Sequence, residues 1–214
     1  MGLSISWIAA RGVPRPDLLD TLGLKDSGPS HRSRPVPVPA RFVAFESGGW
    51  IFVAAPNASL ASRGRVRSAS RGGMAVGAYL DEHVMISGVF AAEDGELTWS
   101  AQHDPNIDPD HLDIWGQPPE ALAETQAKLT AEGLSQPDVD AIFDVPTLLA
   151  ASQCHFDPNS FDIELDLTNL TTTNPELLRH YDPVLASALI DPSGASPEVR
   201  LRRPGLLARL FGHG

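Results

Sequence analysis

The stretch that decides the fold is Met74–Gln102, which reads MAVGAYLDEHVMISGVFAAEDGELTWSAQ. It contains three short runs rich in apolar, β-branched and aromatic residues, a composition typical of strands. The dipeptide Asp81-Glu82 predicts a turn after the first run, and Asp94-Gly95 is a strong signal for a tight hairpin after the second. The three runs, AVGAYL, His83–Ala91 and Glu96–Gln102, predict an antiparallel meander.

The sequence before the meander predicts three more strands and a short helix. Arg41–Ala55 contains two apolar runs, FVAFE and WIFVAA, separated by Ser47–Gly49, whose adjacent glycines supply the positive φ angles that tight hairpins need. Because both runs are continuously apolar, we expect their strands to be covered on both faces of the sheet. Ser4–Ala9 alternates and predicts a first strand, and Pro16–Gly23 predicts a short helix that ends at its glycine.

The sequence after the meander predicts helices and one further strand. The predicted helices span residues 118–132, 137–143, 146–154 and 174–189. Phe161–Leu167, FDIELDL, alternates apolar and acidic residues and predicts a strand with one buried face. The expected fold class is α+β, with a mostly antiparallel sheet of about five to seven strands and helices packed on one face.

We expect residues 1–198 to form a single α+β domain with Pro/Arg-rich loops at 27–40 and 57–73, followed by a basic C-terminal tail at 199–214. A chain of 214 residues is long enough to bury a substantial core. The predicted core residues are Trp7, Phe42, Phe45, Trp50, Phe52, Val84, Ile86, Phe90, Trp99, Ile142, Phe143, Leu148, Ile163 and Leu165.

Charge is unevenly distributed along the chain, whose formal net charge is −11. Residues 1–73 carry +6, residues 74–198 carry −21, and residues 199–214 carry +4. Either the basic segments fold back onto the acidic body, or they meet an external anion such as phosphate or anionic lipid. We favour the first interpretation, and so acidic a centre argues against nucleic acid as a partner.

Composition excludes several classes of protein. The apolar fraction of 42% is too high for a wholly disordered chain. No apolar run approaches the roughly 20 residues that span a bilayer, so no transmembrane segment is expected. The single Cys154 cannot form an internal disulfide. Because no secretory signal is visible, we expect a cytoplasmic protein with a reduced thiol, and no motif indicates a cofactor.

The densest cluster of ligand-type residues lies in His103–Asp113, HDPNIDPDHLD. Asp104, Asn106 and Asp108 have the every-second-residue spacing of a calcium-binding loop, but Pro109 and Trp115 stand where such a loop requires glycine and glutamate. His103, Asp104 and His111 could instead hold a transition metal. The alternative, which we favour, is an acidic connection between the meander and the following helix.

No catalytic residue is predicted. The pair Cys154-His155 offers a thiol and an imidazole, but neighbouring residues on a helix point in different directions. A small buried thiol near a helix end is the favoured interpretation. The chain has neither a G-x-S-x-G nucleophile motif nor a Walker phosphate-binding loop. We therefore leave enzymatic activity open and lean toward a non-catalytic protein.

Two charged clusters are candidate binding residues. The first comprises Asp162, Glu164 and Asp166, and the second comprises Arg63, Arg65 and Arg67. The carboxylates share one face of a predicted strand, where they could bind a metal or arginines, or stay in solvent and discourage edge-to-edge aggregation. The arginines could bind nucleic acid, although no aromatic residue offers a stacking platform, or lie over the carboxylates. We favour solvation for both clusters.

The leading functional hypothesis is a non-catalytic intracellular binding module, similar in kind to immunity or inhibitor proteins, that recognises another protein through an acidic surface. The first alternative is a metal-dependent hydrolase centred on the His103–His111 loop. The second is a peripheral membrane or nucleic-acid-associated protein that uses the Arg-rich segments, with Pro204–Phe211 of the tail as the membrane contact.

Overall fold

The computed structural model describes residues 2–33, 42–133, 140, 142–156, 165–172, 174 and 177. These residues form ten strands and four α-helices. The strands are β1 (Ser4–Arg11), β2 (Leu24–Asp26), β3 (His31–Ser33), β4 (Val43–Ser47), β5 (Trp50–Ala55), β6 (Met74–Asp81), β7 (Ile86–Glu93), β8 (Glu96–His103), β9 (Asp113–Gly116) and β10 (Leu165–Thr172). The helices are α1 (Arg15–Leu22), α2 (Arg63–Ala69), α3 (Ala121–Gly133) and α4 (Val145–Cys154), and a 3-10 turn at Ile142–Asp144 precedes α4.

The strands form one antiparallel sheet with the order β2-β10-β4-β5-β1-β6-β7-β8-β9, and β3 also pairs with β10. β1 is therefore central, hydrogen-bonded to β5 on one side and to β6 on the other. The predicted first strand, hairpin and meander are confirmed, as is the α+β class with a mostly antiparallel sheet. The described residues contain ten strands, more than expected, because the short strands β2, β3 and β9 were not predicted.

Helices cover the sheet on both faces. In β1, Trp7 belongs to a core cluster with residues of α3 and α4, whereas its neighbour Ile8 packs with residues of α1 and α2. This alternation explains the continuously apolar strands of the hairpin, as expected for a sheet with two covered faces. It differs from the expectation of helices on one face, since α1 and α2 occupy the second face.

Helix α2 lies in the segment 57–73, which the sequence predicted as a loop. The Ser62 side chain caps its N-terminus by accepting a hydrogen bond from the backbone nitrogen of Arg65 at 3.4 Å. Val66 and Ala69, three positions apart, are buried against the sheet. In the other predicted loop, β3 pairs with β10, and residues 34–40 lie outside the described residues.

The turn between β6 and β7 is longer than predicted, because β7 begins at Ile86 rather than at His83. The Asp81 side chain accepts a hydrogen bond from the backbone nitrogen of His83 at 2.9 Å, and Met85 adopts a φ of 55°. This turn leaves Val84 50% exposed, so its place in the predicted core is wrong.

Most of the other predicted core residues are buried. Ile86, Ile142 and Leu148 are only partly buried, and Ile163 lies outside the described residues. The buried ones are Trp7, Phe42, Phe45, Trp50, Phe52, Phe90, Trp99, Phe143 and Leu165.

The predicted elements after the meander are found where the structure describes them. α3 and α4 match the helices predicted at 118–132 and 146–154 to within three residues. In β10, Leu165 and Leu167 are buried and Asp166 between them is exposed, which confirms the alternation for this part of the predicted strand. The tail and most of the predicted helices at 137–143 and 174–189 lie outside the described residues.

Helix α2 approaches the sheet closely because residue 77 is glycine. A Cβ at Gly77 would overlap Cγ2 of Val66, which is fully buried. We expect Gly77→Ala to lower the free energy of unfolding by about 1–3 kcal/mol, the usual cost of overpacking, as measured by urea denaturation. In the double variant with Val66→Ala, the new methyl group has room. The free energy of unfolding lost by the double variant should therefore be smaller than the sum of the losses in the two single variants. Equal values would contradict the contact between residue 77 and Val66.

Candidate functional site

The structure places the His103–Asp113 cluster at one edge of the sheet. β8 ends at His103, a loop of residues 104–112 reverses the chain, and β9 returns antiparallel to β8. β9 is the last strand of the sheet, and among the described residues no strand pairs with its outer side. We call the loop and β9 together, residues 104–116, the acidic edge.

Apolar and acidic side chains are exposed side by side on the acidic edge. Three of the four large apolar residues that are exposed in the described part of the chain lie here: Ile107 (68%), Ile114 (37%) and Trp115 (49%). The acidic edge also carries four aspartates, and none of them forms an ion pair with a described residue. These are Asp104, Asp108, Asp110 and Asp113.

A buried histidine attaches the acidic edge to the rest of the protein. The His103 side chain is fully buried, and its Nδ1 donates a hydrogen bond to the carbonyl oxygen of His111 at 2.7 Å. Its Nε2 lies 2.9 Å from Oδ2 of Asp140. The angle of this second contact falls outside hydrogen-bonding geometry, so we treat it as electrostatic.

Asp140 connects this histidine to the 3-10 turn before α4. Its Oδ1 accepts hydrogen bonds from the backbone nitrogens of Ile142 and Phe143, each at 3.1 Å. The Phe143 ring meets the His103 ring edge-on, with centroids 6.4 Å apart, and the Ser87 hydroxyl donates to the Phe143 carbonyl at 2.6 Å. One carboxylate therefore caps the turn with one oxygen and faces the buried histidine with the other.

The loop of the acidic edge is ordered by its own side chains. The backbone nitrogen of Asp104 donates to Nδ1 of His111 at 3.0 Å. Oδ1 of Asp104 accepts from the backbone and side-chain nitrogens of Asn106, and these bonds are the main cause that lowers the pKa of Asp104. Asp108 Oδ1 accepts from the backbone nitrogen of Asp110 at 2.8 Å. These hydrogen bonds give the loop a defined backbone from which the carboxylates are presented.

The structure brings His103, Asp104 and His111 together at one loop, but three of the four histidine nitrogens face protein groups. Both nitrogens of His103 face protein oxygens, and Nδ1 of His111 accepts a backbone hydrogen bond. Within the described ranges, no three His, Cys, Asp or Glu side chains are grouped closely enough to hold a metal ion. The metal hypothesis stays a prediction, and these contacts favour a structural role for both histidines.

The predicted arginines lie on α2, and Arg65 and Arg67 contact other residues of the protein. Nη1 of Arg65 donates to the carbonyl oxygen of Ser59 at 2.6 Å, and Arg67 forms an ion pair with Glu96 at 3.2 Å. Arg63 is exposed at the first residue of the helix. The Arg67–Glu96 contact joins the basic N-terminal region to the acidic centre of the chain, and both partners are exposed, so it contributes little stability.

Of the three predicted carboxylates, Asp162 and Glu164 lie outside the described residues. Asp166 is exposed on β10, opposite Arg32 of β3 in the pairing register. It borders an open polar cleft of about 330 Å³, which the sequence did not reveal. The residues that line this cleft are Arg15, Ser30, Glu46, Leu165, Asp166 and Thr168.

Three of the polar side chains that line this cleft have partners in the described structure. Arg15 forms an ion pair with Asp26 at 2.7 Å, and the hydroxyls of Ser30 and Thr168 lie 2.9 Å apart. The two hydroxyls of the cleft therefore contact each other, and no hydrogen bond between described residues joins either of them to a base, the arrangement that activates a nucleophile for covalent catalysis.

Cys154 is a buried thiol at the end of α4, as predicted. Its Sγ donates to the carbonyl oxygen of Ala150 at 3.1 Å, and burial raises the pKa of the thiol to about 11. His155 caps the helix in a left-handed conformation, with a φ of 55°, and its side chain is exposed. A buried thiol with a raised pKa is a poor nucleophile.

Comparison with protein-family models, curated proteins and solved structures gives no match. No helix formed by the described residues is long and apolar enough to cross a membrane.

Three residues of the site were not predicted from the sequence: Ile114 and Trp115 of the acidic edge, and Asp140, which contacts His103. Trp115 and its neighbour Ile114 form an apolar pair inside a polar stretch. This pattern indicates a short strand, but no strand was predicted there. Asp140 gave a weaker signal, an aspartate just before a turn of helix, where its side chain can accept backbone hydrogen bonds.

Proposed function

We propose that the protein is a non-catalytic interaction module that recognises a partner protein through the acidic edge. The observation that carries this proposal is the exposure of Ile114 and Trp115 on the last strand of the described sheet, next to the aspartates of the loop. Exposed apolar side chains surrounded by polar groups are typical of interaction sites. A cytoplasmic setting belongs to the same proposal, because the single thiol suits a reducing compartment.

The groups best suited to chemistry support a non-catalytic role. The His103 ring is buried and contacts a carbonyl oxygen and a carboxylate of the protein, and the Cys154 thiol is buried with a raised pKa. A general base or nucleophile must reach its substrate. These side chains instead stabilise the structure that presents the acidic edge.

The charge of the acidic edge favours a basic partner. Carboxylates that form no ion pair within the described structure attract arginine and lysine side chains, raise the association rate and exclude acidic surfaces. The Asp104 carboxylate is held ionised by its hydrogen bonds, so this attraction persists at mildly acidic pH. The partner surface is therefore expected to be basic and partly apolar.

We expect an octapeptide of alternating Arg and Val to bind the protein, and an octapeptide of alternating Glu and Val not to bind. The triple variant Asp108→Asn, Asp110→Asn and Asp113→Asn should bind the Arg-Val peptide about tenfold more weakly, because each exposed charge contributes up to about 1 kcal/mol. Fluorescence anisotropy of the labelled peptide at low salt measures the affinity, and binding should weaken further as salt rises.

A matched control removes the same charge elsewhere. Asp17→Asn, Asp20→Asn and Glu93→Gln change exposed acids outside the acidic edge, so the net charge of the two triple variants is equal. The control should bind like the unmodified protein. Equal weakening in both variants would show that only the net charge matters, and it would overturn the acidic edge as a recognition surface.

A further inference from the structure

We propose that the partner binds by adding a β-strand to the outer side of β9, with a basic and partly apolar segment as the added strand. This inference rests on the proposed function, since it specifies how the acidic edge recognises its partner. Strand addition to an exposed sheet edge is a general mode of peptide recognition, in which backbone hydrogen bonds supply affinity and side chains supply specificity.

The first support is that β9 lies at one end of the described sheet. Asp113–Gly116 pairs with β8 along one side, with Gly116 opposite Trp99 and Asp113 opposite Gln102. Within the described part of the chain, the other side of β9 has no strand partner. The backbone groups on that side pair with no other described strand, and an edge of this kind can pair with an extended chain.

The second support is the placement of the exposed apolar pair on opposite faces of β9. Ile114 pairs with Ala101, which belongs to the core on the α3 and α4 face, and Trp115 pairs with Ser100 on the other face. An added strand would bring alternate side chains against Ile114 and Trp115. Cross-strand contacts of this kind with aromatic and aliphatic residues stabilise a sheet.

The third support is the charge, which selects the occupant. A second copy of the chain would bring its own aspartates against those of the acidic edge, and like charges that face one another are destabilising. A basic strand meets no such barrier and gains attraction from Asp108, Asp110 and Asp113. Charge complementarity therefore favours a basic segment of another protein over the acidic edge of a second copy of this chain.

The fourth support is that the edge is held in place before binding. Gly116 has a φ of 80°, and a Cβ there would overlap the carbonyl oxygen of Thr98, so the end of β9 lies directly against β8. At the other end, His103 fixes the loop through the carbonyl of His111. A strand that is already ordered loses little conformational entropy when a partner pairs with it.

The test compares two peptides of equal charge and side chains, the alternating Arg-Val octapeptide and the same peptide N-methylated at every second residue. N-methylation removes the backbone donors of one edge, so we expect it to weaken binding by tenfold or more. Trp115 reports on the site, because Trp7, Trp50 and Trp99 are buried. The unmethylated peptide should shield Trp115 from acrylamide quenching, and this protection should be absent in Trp115→Phe.

The outcomes separate the inference from the proposed function. Equal binding of the two peptides, with the charge dependence intact, would overturn strand addition while the acidic edge remains the recognition surface. Absence of binding by either peptide would overturn both. Concentration-dependent protection of Trp115 without peptide, together with dimers in sedimentation, would show that a second copy occupies the edge and would also overturn the inference.

Discussion

His103→Ala is expected to lower the free energy of unfolding by about 3 kcal/mol. The substitution removes a fully buried side chain, leaves the carbonyl of His111 without its donor, and leaves the Asp140 carboxylate without its partner 2.9 Å away. Each buried polar group that loses its partner costs about 1–3 kcal/mol. The two groups together account for about 3 kcal/mol, because the Asp140 side chain is 22% exposed and can be partly rehydrated.

Chemical denaturation monitored by circular dichroism measures this loss, and the sheet offers a matched control. His83 contacts Asp81 at the same distance, 2.9 Å, but its side chain is 54% exposed. His83→Ala should therefore cost less than about 1 kcal/mol. If the two histidine variants lost equal stability, burial of His103 would not explain its contribution.

Alkylation of Cys154 in the folded protein is expected to be slower than in the unfolded chain by a thousandfold or more. Burial raises the pKa of the thiol from 9.0 to about 11, which alone lowers the thiolate fraction about a hundredfold near pH 8. Steric exclusion adds to this effect, because Cys154 is only 1% exposed. The rate of reaction with iodoacetamide, followed by mass spectrometry, tests the expectation on the single cysteine of the chain.

The control places a thiol on the same helix in solvent. Ser152 is exposed on α4, so the variant Cys154→Ala with Ser152→Cys should react at nearly the rate of the unfolded chain. Similar rates for the native thiol and this introduced thiol would contradict the burial of Cys154 and its raised pKa.

The raised thiol pKa also has a consequence for stability. The protonated thiol is favoured in the folded state, so its contribution is fully present below pH 9 and is lost as the pH rises toward 11. A shift of about two pKa units corresponds to about 3 kcal/mol at most. Comparison with Cys154→Ala over this range separates the thiol from other groups that titrate in alkali.

The parts of the fold that the sequence predicted are those with strong local signals. The paired glycines at Gly48 and Gly49 and the dipeptide Asp94-Gly95 each adopt positive φ angles in tight turns, and they set the register of the strands around them. Helix α2 was missed because only two of its seven residues, Val66 and Ala69, are buried, and the arginines around them resemble a solvated loop. The helical structure of this segment therefore depends on its tertiary contact with the sheet.

The site was predictable only in part for a related reason. The aspartates and histidines of the loop stand close together in sequence, so their spacing marked the segment. The pairing of His103 with Asp140 depends on how the 3-10 turn packs against β8, and no local pattern encodes it. The exposure of Trp115 likewise follows from the position of a four-residue strand at the end of the sheet.

The two halves of the sheet differ in the sequence separation between the strands that pair. β6, β7, β8 and β9 pair in chain order, whereas β10 closes the opposite side against β2, β3 and β4, with a hydrogen bond between Ser27 and Asn169 across 142 residues. Because the entropy lost on closing a loop grows with its length, the second half carries the greater kinetic barrier. The acidic edge therefore belongs to the half that is built from strands adjacent in sequence.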